Sequence, residues 1–202
     1  MRLTASVLGL LAIGVAMASP VAALDHRMLT AHMVQHLLLM TIAPPLIMLG
    51  VRPSFRWPHL PPAVCWLAAA VVLVGWHVPA VFRLGMESEL WHLIEQVSFL
   101  AAGFAFWGPV FEPPRRWSIL LYLFLATLPC DVLSGFLVFS DRVAYPMYLC
   151  TPSESVRSAL EDQQCAGALM WTVVTFVYLI AGTVFATQLL SARTGPHSLE
   201  AA

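Results

Sequence analysis

The stretch HMVQHLLLMTIAPPLIMLG, residues 32–50, decides the fold class. It contains no acidic residue, lysine or arginine, and its first turns carry two histidines. An α-helix needs about 20 mostly apolar residues to cross the hydrocarbon core of a bilayer. This stretch therefore predicts a transmembrane helix that has polar side chains near one of its ends.

Five further stretches are apolar over similar lengths: residues 3–23, 63–82, 90–110, 117–139 and 167–190. Of all 202 residues, 59% are hydrophobic and 10% are charged, whereas about 25% are charged in an ordinary soluble domain. This composition excludes a basic nucleic-acid binder and indicates a lipid bilayer as the surroundings. We predict an all-α, polytopic membrane helix bundle with five core transmembrane helices after an N-terminal apolar segment.

Residues 1–23 have two interpretations, a signal peptide and a signal-anchor helix that forms a first span. Residues 24–192 would then form the bundle, and residues 193–202 a cytoplasmic tail. Segments predicted to be internal hold six of the ten arginines, and those predicted to be external hold seven of the eleven acids. Arginine marks the cytoplasmic side. We therefore predict a multi-pass protein of the bacterial inner membrane with a cytoplasmic C-terminus.

Polar and soft side chains gather near the predicted outer ends of the helices. His32 and His36 are four residues apart and share one helix face. Later helices bring further candidates to a similar depth: His77, His92, Glu95, Asp131 and Met170. Imidazoles on one face suit a shared metal ion, and a thioether such as that of Met33 is a soft ligand that copper accepts. The alternative for each residue is a hydrogen-bonded or packed side chain without a ligand.

Two cysteines, Cys150 and Cys165, flank the last predicted outer loop. Because the outer compartment is oxidising, we predict a disulfide between them. Free or metal-binding thiols are the alternatives. The sequence has no Walker loop, G-x-G-x-x-G, G-x-S-x-G or C-x-x-C motif, so we do not expect an enzyme.

Five segments occur in an order that resembles the CtaG-type family of cytochrome c oxidase (caa-type) assembly factors. They are HMVQHLLLMTIAPPLIMLG, WHVPAVF, LWHLIEQVSFLAAGFAFWGPV, YPMY and LEDQQCAGALMW, and the likeness spans roughly residues 26–190. The resemblance implies a membrane protein that matures the oxidase by supplying copper to its catalytic subunit. It places the functional positions on His32, His36, His77, His92, Glu95, Asp162, Gln163 and Met170. This sequence departs from the family pattern in two ways. It has Gln96 where many relatives have histidine, and its N-terminal region is shorter.

The leading hypothesis is an assembly factor that holds or passes copper at the outer leaflet. The metal ligands would be His32, His36, His77 and His92 with Met33 or Met170, supported by Glu95, Asp131, Asp162 and Gln163. The oxidase catalytic subunit is the expected partner, and periplasmic copper chaperones are further candidates. Three alternatives remain: a membrane cytochrome whose histidines ligate haem, a copper importer with a polar path to the inner face, and a metal-free scaffold.

Overall fold

The computed structural model describes residues 2–51, 60–112, 117–149 and 156–193, which form helices without any strand. The α-helices in this part of the chain are α1 (Arg2–Ala18), α2 (Pro20–Leu24), α3 (Leu29–His36), α4 (Ala43–Val51), α5 (Pro62–His77), α6 (Pro79–Glu87), α7 (Glu89–Phe111), α8 (Ser118–Phe139) and α9 (Val156–Arg193). A π-helical segment, Leu37–Ile42, joins α3 to α4, and a 3₁₀ turn, Pro146–Leu149, lies between α8 and α9.

Among the residues that the structure describes, five helical segments are long and apolar enough to cross a membrane: Arg2–Leu24, Leu29–Val51, Glu89–Phe111, Ser118–Phe139 and Ser158–Ser191. The consecutive helices α5 and α6 together would form a sixth, bent by 75°. Large apolar side chains such as Phe124, Val132 and Phe139 are exposed on the outside of the bundle, as expected where lipid is the solvent. The prediction of an all-α, multi-pass membrane bundle is confirmed.

The third predicted span, residues 63–82, is broken rather than continuous. Helix α5 ends at His77, and α6 begins at Pro79 after Val78, whose backbone is extended (φ −65°, ψ 125°). The proline ring disfavours the helical conformation of the residue before it. Because of this break, α6 turns across the bundle and packs on α7.

The last helix also differs from its prediction, because α9 begins at Val156 and not near residue 167. The sequence places Asp162 and Gln163 in a polar loop, but both lie on α9 and bond to other segments. Asp162 accepts hydrogen bonds from the backbone N–H groups of Leu29 (2.6 Å) and Thr30 (3.2 Å). It thereby caps α3, whose own N-cap residue, Met28, makes no side-chain capping bond.

Close packing between α7 and the π-helical segment sets the register of the site. A Cβ atom added at Gly103 would lie 2.6 Å from the carbonyl oxygen of Met40 and 2.7 Å from Cγ of Pro44. Pro44 has no backbone N–H to donate to the Met40 carbonyl, so the regular hydrogen-bond ladder is interrupted there. The glycine lets the two backbones approach. As a result, the face of α3 that carries His32 and His36 meets the face of α7 that carries Glu95.

Helices α1 and α2 pack beside α3 and α4. The buried amide of Gln35 donates a hydrogen bond to the carbonyl oxygen of Ala16 (2.9 Å). The two interpretations of residues 1–23, a signal peptide and a signal-anchor helix, both stay predictions, and most of the predicted tail, residues 194–202, lies outside the described residues. We use the term polar end for residues 25–36, 77–96 and 140–149, where α3 and α7 begin and α5 ends.

Candidate metal centre

The carboxylate of Glu95 lies among three histidines at the polar end. Its Oε1 atom is 3.4 Å from Nε2 of His32 and 3.3 Å from Nε2 of His36. Its Oε2 atom is 3.5 Å from Nδ1 of His92. The side chains of Glu95 and His32 are almost fully buried. Two helices that begin at the same end of the bundle therefore bring four titratable side chains together.

Aromatic rings and a glycine enclose this cluster. The ring of His36 stacks on Phe99, one turn after Glu95 on α7, with centroids 3.9 Å apart. The ring of Phe82, on α6, lies 4.7 Å from that of His32. A Cβ atom added at Gly85, also on α6, would be 2.7 Å from Oε2 of Glu95. Helix α6 therefore covers the carboxylate closely, and the break before Pro79 makes this cover possible.

The donor atoms of the cluster fit a metal ion. In the described part of the chain, both nitrogens of His32 and His36 and both Glu95 oxygens are buried, and apart from the imidazole–carboxylate contacts of the cluster they have no hydrogen-bond partner. Buried polar groups are normally paired, and an ion is one explanation when they are not. Around a tetrahedral ion with ligands at about 2.0–2.1 Å, neighbouring ligands are about 3.3–3.4 Å apart. His32, His36 and Glu95 each offer one ligand atom, and these three atoms all lie within 4.8 Å of one another.

A second pair of donors, His77 and Met33, lies next to this cluster. Nδ1 of His77 is 2.6 Å from the carbonyl oxygen of Leu73. A carbonyl only accepts, so Nδ1 carries the proton, and in a neutral ring Nε2 is left with a lone pair. That Nε2 faces the sulfur of Met33 at 3.3 Å. A buried imidazole nitrogen beside a thioether sulfur is a donor pair that suits copper.

Asp25 joins the polar end from the segment between α2 and α3, although its sequence position indicates only a loop acid. Its side chain is fully buried, and Oδ2 is 2.9 Å from Nε2 of His92. Burial acts to raise the pKa of Asp25, but His92 and the neighbouring His26 outweigh this effect, so the pKa lies below its ordinary value. Burial and the charge of Asp25 raise the pKa of Tyr148. The protonated Tyr148 hydroxyl donates to the Asp25 carbonyl oxygen at 2.9 Å.

Several predicted site residues lie elsewhere. Gln163 accepts a hydrogen bond from the Ala144 N–H (2.7 Å) and donates to the carbonyl oxygen of Arg142 (3.1 Å). It thus shapes the segment before the 3₁₀ turn. Asp131 lines a groove between α8 and α9, away from the histidines. Met170 is buried and shares with His36 the wall of an apolar cavity of about 40 Å³.

The predicted disulfide stays a prediction, because Cys150 lies outside the described residues. Cys165 is exposed on α9. Gln96, which stands where many members of the resembled family have histidine, lies at the cluster's edge. Its amide nitrogen is 2.6 Å from Nε2 of His92. Gln96 therefore contacts one of the candidate ligands directly.

Sequence reasoning missed Asp25, Gly85 and the enclosing role of α6. No local pattern signals that Asp25 is buried, since an acid between two apolar segments is usually solvated. Gly85 lies in RLGMESE, which has the composition of an ordinary connecting loop. The proline of WHVPAVF was the available signal for the break, because proline and its preceding residue mark helix ends.

The comparison with protein families covers nearly the whole chain. The sequence model of the cytochrome c oxidase caa3 assembly factors (Caa3_CtaG) matches residues 1–61 and 51–192. This chain belongs to that family. The resemblance drawn from the five ordered segments is thereby confirmed, and the matched region contains all the histidines of the polar end. No curated protein and no solved structure matches the chain.

Proposed function

We propose that this caa3 assembly factor holds copper as cargo at the Glu95 cluster and delivers it to the catalytic subunit of the oxidase. The observation that carries the proposal is the set of buried donor atoms on His32, His36 and Glu95, which face one another and have no other hydrogen-bond partner in the described part of the chain. Family membership gives the context, since haem-copper oxidases need copper in order to mature. In this proposal the protein is a metal-holding chaperone and not an enzyme.

Different residues of the cluster have different roles in binding the ion. His32 and His36 supply neutral imidazole nitrogens, and Glu95 supplies a negative charge that offsets part of the charge of the ion. Phe82 and Phe99 pack against the imidazoles and exclude water. Met33 and His77 offer a neighbouring soft pair to which copper can shift. Such a shift needs no large movement, because the rings of His36 and His77 are 5.8 Å apart.

The proposal also includes the orientation of the protein in the membrane and the proteins with which it exchanges copper. We place the polar end at the outer leaflet, because the arginine distribution predicts that residues 25–28 are external. Copper chaperones of the periplasm would then meet the protein at the end where the donors lie. The oxidase catalytic subunit would take copper from the same end.

Haem binding is the weaker alternative. A haem needs two imidazoles that face each other across a gap wide enough for the macrocycle. Here three imidazole nitrogens face one carboxylate. This arrangement favours a small ion over a macrocycle. A Soret band in the purified protein would reinstate the haem alternative.

The test compares the copper content of the purified full chain with that of two variants. We expect His36→Ala to lose copper, because it removes a donor from the centre of the cluster. Gln35→Leu is the matched control, since Gln35 is the buried neighbour of His36 and bonds to Ala16 on another side of α3. Equal copper in the wild type and His36→Ala contradicts the proposal, as does equal loss in both variants.

A cellular measurement tests delivery separately from holding. We expect cells without this protein to make an oxidase that contains haem but lacks copper in its catalytic subunit. Complementation with Glu95→Ala would leave that copper missing, whereas Gln35→Leu would restore it. A fully metallated oxidase in cells that lack the protein contradicts the delivery step.

A further inference from the structure

A second group of donor atoms lies between the Glu95 cluster and the solvent. It consists of Asp25, His26 and His92, whose donor atoms lie within 4.8 Å of one another. We propose that these residues form an outer divalent-metal site that receives a copper ion and passes it inward. The passing step rests on the proposed function, because it needs the Glu95 cluster as acceptor, but the outer site itself does not.

The geometry of the outer site centres on the buried carboxylate of Asp25. Oδ2 is 2.9 Å from Nε2 of His92, and Oδ1 is 3.7 Å from Nε2 of His26. Apart from these two imidazoles, neither oxygen has a hydrogen-bond partner in the described part of the chain. A buried carboxylate that faces two imidazoles and no backbone N–H is equipped to bind a cation. The hydrogen bond from Tyr148 to the Asp25 carbonyl oxygen holds this segment in place.

Exposure falls in steps from the outer site to the inner cluster. The side chain of His26 is 41% exposed, that of His92 is 9% exposed, and that of Asp25 is fully buried. In the inner cluster the side chain of His32 is fully buried. An ion can therefore meet His26 from solution before it reaches the other donors.

His92 connects the two groups through opposite sides of one ring. Its Nε2 atom faces Asp25, and its Nδ1 atom faces Oε2 of Glu95 at 3.5 Å. The ring of His92 lies 5.2 Å from that of His26 and 6.2 Å from that of His32. Successive donors are therefore spaced so that an ion can gain an inner ligand before it leaves the last outer one.

The donor atoms of the outer site favour one oxidation state of copper. Two imidazoles and a carboxylate are borderline to hard ligands, and they bind Cu²⁺ more tightly than other divalent ions of the first transition row. The soft sulfur of Met33 contacts His77 and not the outer group. We therefore assign divalent copper to the outer site. Transfer between the two groups is an exchange of ligands without a change of oxidation state. Because a neutral imidazole has one lone pair, the proton on Nδ1 of His92 moves to Nε2 when the ion moves from Nε2 to the Glu95 side.

The experiment titrates Cu²⁺ into the purified, metal-stripped full chain and counts bound ions by electron paramagnetic resonance and elemental analysis. We expect the wild type to bind two ions and His26→Ala to bind one, with loss of the signal from the outer site. His26 is partly exposed, so its removal leaves the packing intact. Arg27→Gln, an exposed neighbour, is the matched control and should bind two ions.

The outcomes separate this inference from the proposed function. One possible result is that the wild type binds a single ion, that His36→Ala binds none and that His26→Ala still binds it. This result overturns the outer site and supports the inner cluster. Loss of only the inner ion in His36→Ala supports both. Two ions retained in His26→Ala also overturn the outer site. No bound copper in the wild type overturns both assignments.

Discussion

The polar end buries four imidazoles and two carboxylates, whereas the opposite half of the bundle, which contains Phe106, Trp107, Tyr122 and Tyr178, buries mostly apolar side chains, among them a group of packed aromatic rings. There Phe106 stacks between Tyr122 and Tyr178, and Trp107 packs against both Phe106 and Tyr178. The hydroxyl of Tyr122 donates to the Phe106 carbonyl oxygen at 2.8 Å. The polar end therefore contains side chains that can bind a metal ion, and the opposite half is closely packed with apolar and aromatic side chains.

This difference bears on how cargo would move. A transporter needs polar groups along its whole path, because charged species are costly in a low-dielectric interior. In the described part of the opposite half, aromatic packing interrupts such a path. The comparison favours a protein that takes and returns its cargo at one face over a copper importer.

The largest effect is expected from Gly103→Ala. This substitution disturbs the contact between α7 and the π-helical segment, which aligns the polar faces of α3 and α7. Its Cβ atom would lie 2.6 Å from a backbone oxygen, so α7 must shift. We expect a loss of about 1–3 kcal/mol in the free energy of unfolding, typical of overpacking. Copper content should fall too, because Glu95 moves with α7. Thermal unfolding in detergent and metal analysis measure both quantities.

The control for this change is Gly108→Ala on the same helix, where an added Cβ atom meets nothing within 4 Å. It should unfold at the same or a higher temperature, because alanine favours helix more than glycine does. Equal destabilisation by the two substitutions would contradict the role given to Gly103.

The second prediction disturbs the polar end and spares the rest. Gly85→Ala places a methyl group 2.7 Å from Oε2 of Glu95 and so displaces the carboxylate. We expect copper affinity to fall about 10–100-fold, as for other changes that disturb the orientation of a ligand. A competition titration with a copper chelator measures this. Gly75→Ala, whose Cβ atom meets nothing within 4 Å, should bind like the wild type.

The third prediction distinguishes residues of the polar end that stabilise the fold from residues that bind copper. Asp162→Ala removes the side chain that caps α3. We expect a loss of about 0.5–2 kcal/mol in stability, the usual range for a lost helix cap, with the number of bound copper ions unchanged. Asp141→Ala, an exposed acid, serves as the control. Loss of copper at full stability would instead make Asp162 a ligand.

The smallest effect is expected from Tyr122→Phe in the opposite half. The change removes one buried hydrogen bond and leaves the carbonyl oxygen of Phe106 without it. We expect a loss of about 0.5–1.5 kcal/mol and no change in copper affinity. A change in copper affinity here would mean that the two halves are coupled more closely than their packing indicates.

The sequence predicts more of the fold than of the site. Continuous apolar runs determine the number of spans, because hydrocarbon leaves the backbone few choices. The spacing of His32 and His36 determines a shared helix face, because helical periodicity is local. Both features depend on neighbouring residues, so they can be predicted without tertiary contacts.

The remainder of the site depends on contacts between distant segments. Asp25 is buried because α3, α7 and the 3₁₀ turn close around it, and no local pattern encodes that. The sequence places Asp131 at the site from its depth alone. Depth does not determine which way a helix face points, and the structure turns this residue toward the α8–α9 groove.

The most direct test of the central claim is the X-ray absorption spectrum of the copper-loaded protein. The account predicts nitrogen or oxygen ligands at about 2.0–2.1 Å, with scattering from more than one imidazole that weakens in His32→Ala. A spectrum that is identical in the wild type and His32→Ala, or one with sulfur ligands alone, would contradict the assignment of copper to the Glu95 cluster.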